Sequence, residues 1–262
     1  MRIHTGRVTA AVALAVFVLL SSTVAPQPGF AQEESAAKAL LEKSLEASGG
    51  AEKAAHWKTM TEKGELTVHW EGWGTPHAEC TRYVKRPDKM VLDQDFSKYD
   101  NPFFFTYFYN GGDVWAVVNL GVRQNPRYTA MMTRAMKNTG GMFYYATECD
   151  TLFLVADVPD DSLVAASTIN RIGIVDQGDT VFVDLDKKTH LPVRRIESGG
   201  TQHVLLGDYR ETGGLKVPFR VTVYQNGAVA AEYVWEKIEF DTPIDDAKFE
   251  EYRPAKKPEA SD

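Results

Sequence analysis

The signatures that usually betray catalysis are missing from this chain. It has no HExxH, no paired CxxC, no GxSxG elbow, and no GxGxxG or GxxxxGK[ST] loop. The common zinc, serine-nucleophile and phosphate-cradling sites are therefore without their usual residues. Positive charge is also short, with 29 Lys and Arg against 36 Asp and Glu and a net charge of −7. That balance argues against nucleic acid and anionic membrane surfaces as partners. Cysteine occurs only twice, at Cys80 and Cys149, and beyond residue 25 no apolar run is long enough to span a bilayer.

What is present begins with a leader. Arg2 and Arg7 precede an apolar run, VTAAVALAVFVLLSSTVA (8–25), followed by PQPGFA with small residues at Gly29 and Ala31. This pattern predicts a cleaved secretory signal over residues 1–31; the alternative is a retained anchor, which Pro26 and Pro28 oppose. No cysteine stands at the cut, so a lipid-anchored lipoprotein is disfavoured. The remaining 231 residues carry 27 basic and 36 acidic side chains and suffice for one domain over 32–254, with a disordered tail at 255–262. In an oxidising compartment Cys80 and Cys149 are candidates for a disulfide, worth about 4 kcal/mol in the chain-entropy model; two separate buried thiols are the alternative.

Periodicity divides the domain. ESAAKALLEKSLEASGG (34–50) places Ala37, Leu40, Leu41 and Leu45 on one stripe and stops at Gly49-Gly50, which predicts an amphipathic helix; AEKAAHWK (51–58) reads as a second, short one. From Thr59 onward about eleven runs read as strands joined by short turns, implying one large, strongly curved antiparallel sheet or a pair of sheets. Residues 126–150 interrupt the strands, and PRYTAMMTRAMKNTGG predicts a helix inserted mid-sheet.

Aromatic residues are the unusual feature. In NPFFFTYFYN (101–110) the odd positions Phe103, Phe105, Tyr107 and Tyr109 and the even positions Phe104 and Phe108 are all apolar, where a half-exposed strand would alternate. Both faces need cover, from the protein's own helices or from a greasy ligand. Trp73, Met131 and Tyr144 belong to the same surplus. The residues expected to line a hydrophobic cavity are Trp70, Phe104, Phe108, Trp115, Met132, Met136, Phe143, Tyr233 and Trp235, with the helices at 34–48 and 126–138 as a lid.

Polar candidates carry less. His69 and His77 flank one turn, with Cys80 close behind, but zinc needs three or four fixed ligands. Asp160-Asp161 and Asp245-Asp246 stand where the chain changes direction, and DDAKFEE reads as an acidic helix start. No catalytic residue, metal or cofactor is assigned.

Several patterns, in order, resemble the LolA/LolB-like superfamily of lipoprotein-carrier half-barrels, which includes outer membrane lipoprotein-sorting proteins. They are VKRPDKM (84–90), YNGGDVWAV (109–117), VDLDKKTHLPVRR (183–195), DYRETGGLKVPFRV (208–221) and IDDAKFEEYRP (244–254). The resemblance implies a mainly β (α+β) fold, an incomplete barrel closed by the N-terminal and inserted helices, whose cavity takes up acyl chains. The function so implied is that of an exported, non-catalytic, monomeric periplasmic protein that binds a lipid or lipoprotein acyl chain and moves it between envelope membranes. The alternative is a periplasmic sensor or interaction protein of the same fold that regulates an envelope-stress partner, with an envelope membrane protein as a possible contact, followed by a metal-dependent hydrolase using His69 and His77. The chain departs from the carrier pattern in its extra strands and its Met-rich insert.

Overall fold

The computed structural model describes residues 28–254, apart from Trp70, Trp73, Asn101 and Leu120. The leader before Pro28, the tail from residue 255, the expected cavity residue Trp70 and its neighbour Trp73 lie outside the described residues. Two helices open the fold, α1 (Pro28–Ala47) and α2 (Ala51–His56), so the cut expected after Ala31 falls within α1. Six strands follow: β1 (Thr59–Val68), β2 (His77–Lys85), β3 (Lys89–Asp95), β4 (Phe104–Asn110), β5 (Asp113–Val118) and β6 (Gly121–Arg123). A helical pair, α3 (Pro126–Thr139) and α4 (Gly141–Glu148), leads to seven more. These are β7 (Thr151–Val155), β8 (Ile169–Asp176), β9 (Asp179–Asp186), β10 (Pro192–Ile196), β11 (Gln202–Thr212), β12 (Leu215–Gln225) and β13 (Ala228–Phe240).

All thirteen strands form one antiparallel sheet in the order β6-β5-β4-β3-β2-β1-β13-β12-β11-β10-β9-β8-β7. It is two meanders joined where β1 pairs with β13, and it is open, with β6 and β7 as its edges. The chain passes from one edge to the other through α3 and α4 alone. Twelve inter-strand steps at about 4.8 Å make the sheet roughly 58 Å wide along its surface. Laid end to end, the two helices and their few flanking residues reach at most about 50 Å. The edges must therefore lie closer together than the flat sheet would allow, and the sheet bends beneath the helices as a half-barrel.

Local chemistry explains the helical pair. Asn125 caps α3 by accepting a hydrogen bond from the Arg127 amide at 2.8 Å, and Pro126 sits in the first turn. Gly140 separates α3 from α4, and Gly141 opens α4 at φ +53°, a left-handed backbone that breaks the helical run. The single helix expected for this insert is thus two helices. Thirteen strands replace the expected eleven or so, and the two additional ones are the edge strands. β6 has three residues, too few to show a period, and β7 (TLFLV) does not alternate because α1 packs against it.

Burial resolves the doubled aromatics of β4. Phe103, Phe105, Tyr107 and Tyr109 face the helices and pack on a cluster that includes Met90, Phe96, Met132 and Trp235. The even residues face away: Phe108 is fully buried and stacks on Trp115 at 5.1 Å, in an outer cluster with Val91, Val117 and Phe249, against which Phe104 packs. The cover on that side is the C-terminal segment. Its 3-10 turn (Asp246–Phe249) inserts Phe249, Lys85 and Lys89 grip Asp246 at 3.0 and 2.9 Å, and the Trp115 indole donates to the Glu251 carbonyl at 3.0 Å. A third cluster joins α1 and α4 to β7, β8 and β9 through Leu41, Leu45, Met142, Leu152 and Ile174.

On the outer face of β8–β10 the fully buried Asp184 accepts from Arg171 at 2.6 and 3.0 Å and from Arg194 at 2.6 Å. Arg194 reaches on to Asp161 at 2.5 Å, whose carboxylate also receives the Leu163 and Val164 amides. Asp161 is thereby a loop anchor, its acidity increased by that pairing although partial burial opposes it.

Phe249→Ala should cost about 3–5 kcal/mol, the range for truncating a buried aromatic. Urea unfolding checks this, and a loss below about 1 kcal/mol would show that the C-terminal segment does not close the outer face.

Candidate ligand cavity

Between the helices and the inner face of the sheet lies a cavity of about 220 Å³. Leu45 near the end of α1, Ser48 just beyond it, Ala54 of α2 and the α3–α4 junction from Asn138 to Phe143 roof it. The floor comes from β1, β11, β12 and β13, with Met60, Leu206, Val221, Trp235 and Phe240 prominent. Antiparallel alternation accounts for the floor, since every second residue of each strand points to this side. A bulge between Lys63 and Gly64 adjusts the β1–β13 register. Gly64 meets Trp235 there, and an added Cβ would lie 2.1 Å from the Val234 carbonyl oxygen, so only glycine lets the two strands approach.

One corner is built around Trp57. Its ring sits 5.5 Å from Phe240, and the Arg86 guanidinium lies 3.6 Å above it while donating to the Ala54 carbonyl at 2.8 Å. Burial lowers the Arg86 pKa. Arg86 thus fixes the end of α2 and one wall of the cavity together.

Two ion pairs interrupt the apolar wall. Glu62 accepts from the Arg82 Nε across the β1–β2 pair, with the Arg82 guanidinium 5.5 Å from the Trp235 ring centre. Burial acts to lower the Arg82 pKa, but the Glu62 carboxylate outweighs it and the net direction is upward. Across the cavity, Arg195 of β10 donates through Nε to Glu197 at 2.8 Å. Arg134 of α3 brings its Nε to 2.9 Å from the other Glu197 oxygen, out of line for a hydrogen bond, and so acts there as an ion pair. The same rim holds α3 to the strand ends through Lys137–Asp176 (2.7 Å) and Asn138–Glu197 (3.4 Å).

The structure brings together only part of the residue set expected from sequence. Phe143 and Trp235 line the cavity. Met132, Met136 and Tyr233 lie on the same side of the sheet, within or against the large cluster, but do not line it. Phe104, Phe108 and Trp115 belong to the opposite face, a correction that follows from strand alternation: an unbroken aromatic run must send half its rings each way. Phe104 also borders a second cavity, of about 430 Å³, whose walls include Asp93, Asp95 and Glu251 and suit an acyl chain poorly. Trp70 lies outside the described residues. Residues that sequence reasoning passed over include Trp57, Glu62, Arg82, Tyr209 and Arg195. A signal was available for two of them, because Met60-x-Glu62-x-Gly64-x-Leu66 and Cys80-x-Arg82-x-Val84 each place one charge in the apolar phase of a strand.

The expected disulfide is absent. Cys80 and Cys149 are free thiols, one in the large inner cluster and the other at the end of α4 against the α1–α4 cluster. Burial among the core residues pushes the Cys80 thiol up to about 12, and it packs as an apolar core residue. The two histidines are likewise apart in role: His69 lies 3.6 Å from Glu232, and the His77 Nδ1 is 2.9 Å from the Thr67 hydroxyl. Among the described residues, no group of three or more His, Cys, Asp or Glu is placed to hold a metal ion, and no helix is long and apolar enough to cross a membrane.

No protein-family model matches the chain, and no curated protein matches it either. Solved structures do. A DUF1329 family protein from Desulfovibrio piger aligns over 82% of this chain and 97% of its own, with 12% identity and a TM-score of 0.55. An outer membrane lipoprotein-sorting protein domain from Vibrio parahaemolyticus aligns over 80% and 97%, at 12% identity and a TM-score of 0.52. A LolA superfamily protein from Nitrosomonas europaea aligns over 81% and 96%, at 8% identity and a TM-score of 0.53. The fold is therefore LolA-like: an open antiparallel half-barrel with helices across one face. The fold-level resemblance read from the turn and strand patterns holds.

Thiol titration without reductant should count two thiols per unfolded chain. In the native state at pH 8, Cys149 should react first and Cys80 only on unfolding. A count of zero in denaturant would restore the disulfide.

Proposed function

We propose that this is an exported, non-catalytic protein that takes a hydrophobic ligand, a lipid or an acyl chain, into the cavity between its helices and the inner face of its sheet. The observation that carries this reading is the cavity itself, walled by Trp57, Met60, Phe143, Trp235 and Phe240 and roofed by helices. A domain of this size needs a core, but folding alone does not require a void at its centre. The LolA-like fold supports the reading, as does the leader expected over residues 1–31, which would deliver the protein to the periplasm. A lipoprotein acyl chain is one candidate cargo, and an envelope membrane protein is a candidate partner.

Energetics constrain how such a carrier works. Burying an acyl chain is worth about 0.8 kcal/mol per methylene, and a bilayer offers nearly the same. Contact area therefore cannot set the direction of transfer, which falls to a partner or to movement of the roof. The α3–α4 pair suits that role: polar contacts at Asp176 and Glu197 hold it to the strand ends, and polar contacts exchange with water more readily than packed apolar ones.

Filling the cavity tests the reading. Val221 lines the floor, and Val221→Trp should weaken binding of a fluorescent fatty acid at least tenfold while the circular dichroism spectrum is retained. Binding unchanged by this substitution, or no binding by the parent protein, would contradict it.

A further inference from the structure

The two ion pairs on the cavity wall are not equivalent. Glu62 and Arg82 balance one to one. Glu197 is shared: its side chain is 3% exposed, Arg195 donates to one oxygen, the Asn138 amide adds a second donor to that oxygen, and Arg134 is ion-paired with the other. One carboxylate thus faces two guanidinium groups, leaving a surplus positive charge at this end of the cavity.

That surplus has a direction. Arg134 is 44% exposed and is met by water, whereas Arg195 lines the cavity at 16% exposure. Arg195 commits only its Nε, and among the described residues neither Nη group finds a hydrogen-bond acceptor. The neighbouring phenols are turned to other partners: Tyr145 donates to Asn138 at 3.1 Å and Tyr209 to the Pro192 carbonyl at 2.6 Å, and neither oxygen accepts from Arg195. A planar fork with two free donor groups at the end of an apolar cavity fits the oxygens of a carboxylate or phosphate. The volume of about 220 Å³ lies below the roughly 300–1,000 Å³ of drug-sized sites and favours one slender chain over a bundle of them.

We infer that the cavity selects a single-chain amphiphile with an anionic head, the head received by Arg195 and the chain lying along the aromatic wall toward Trp235. This rests on the hydrophobic-ligand reading above and specifies the ligand class within it. The head and tail are thereby read by different residues, so they separate in an experiment.

Competition against a bound fluorescent fatty acid would compare hexadecanoate, hexadecyl phosphate and hexadecan-1-ol. At least one anion should bind tenfold or more tighter than the alcohol, and the tighter of the two names the head group. Arg195→Gln should remove that preference while alcohol binding changes less than about twofold. Arg195→Lys, which keeps the charge without the fork, should retain part of it. Equal binding of anions and alcohol by the parent protein would overturn this inference and leave the carrier reading standing. Binding of none of the three would overturn both. The comparison on the parent protein requires no variant to fold, and loss of acid and alcohol binding together in Arg195→Gln would count against a head-group role.

Discussion

A single connection governs this molecule. The chain leaves the sheet at one edge, β6, and must re-enter it at the other, β7, with only α3, α4 and a few linking residues to cover the distance. Because that span is shorter than the sheet is wide, the strands curve and the helices lie across the hollow. Cavity, roof and inner aromatic cluster all follow from the one tether. The outer face of β3–β5 has no such cover and is closed instead by the C-terminal segment, which inserts Phe249 beside the stacked Phe108 and Trp115.

The interior combines two kinds of interaction that behave differently. Apolar packing joins the roof to the floor over most of its length, as in the α1–α4 cluster and around Trp57. At the α3–α4 junction the contacts are polar, with Lys137, Asn138 and Arg134 meeting Asp176 and Glu197. A roof so mounted is secure at its apolar end and exchangeable at its polar one. The buried Asp184, with its two arginines, lies on the other side of the sheet and belongs to the architecture rather than to the cavity. Ionic groups at both places meet specific partners, as burial of charge demands.

Much of the fold was legible in the residues. Gly49-Gly50 ended the first helix, Asn226-Gly227 and Gly178-Asp179 marked hairpins, and alternation placed most of the strands. The edge strands were not legible, because three residues cannot show a period and TLFLV lacks one. The site was less accessible still. The aromatic run at 103–109 drew notice through its density, yet alternation sends half of those rings away from the cavity. The residues that shape the cavity are scattered: a tryptophan just after a short helix, two arginines on distant strands, and a tyrosine next to Asp208, whose φ of +51° marks a local break in β11. Only a topology that brings β2, β10 and β13 beneath the same helices makes them one site.

The central claim is that the hollow under α3 and α4 is a binding site and not merely a packing defect. Native mass spectrometry of the protein, after incubation with total envelope lipid and separation from free lipid, tests it most directly. The account predicts a complex of defined stoichiometry whose added mass is released into organic solvent. A spectrum containing only the bare chain, with lipid in excess and the fold intact, would contradict it.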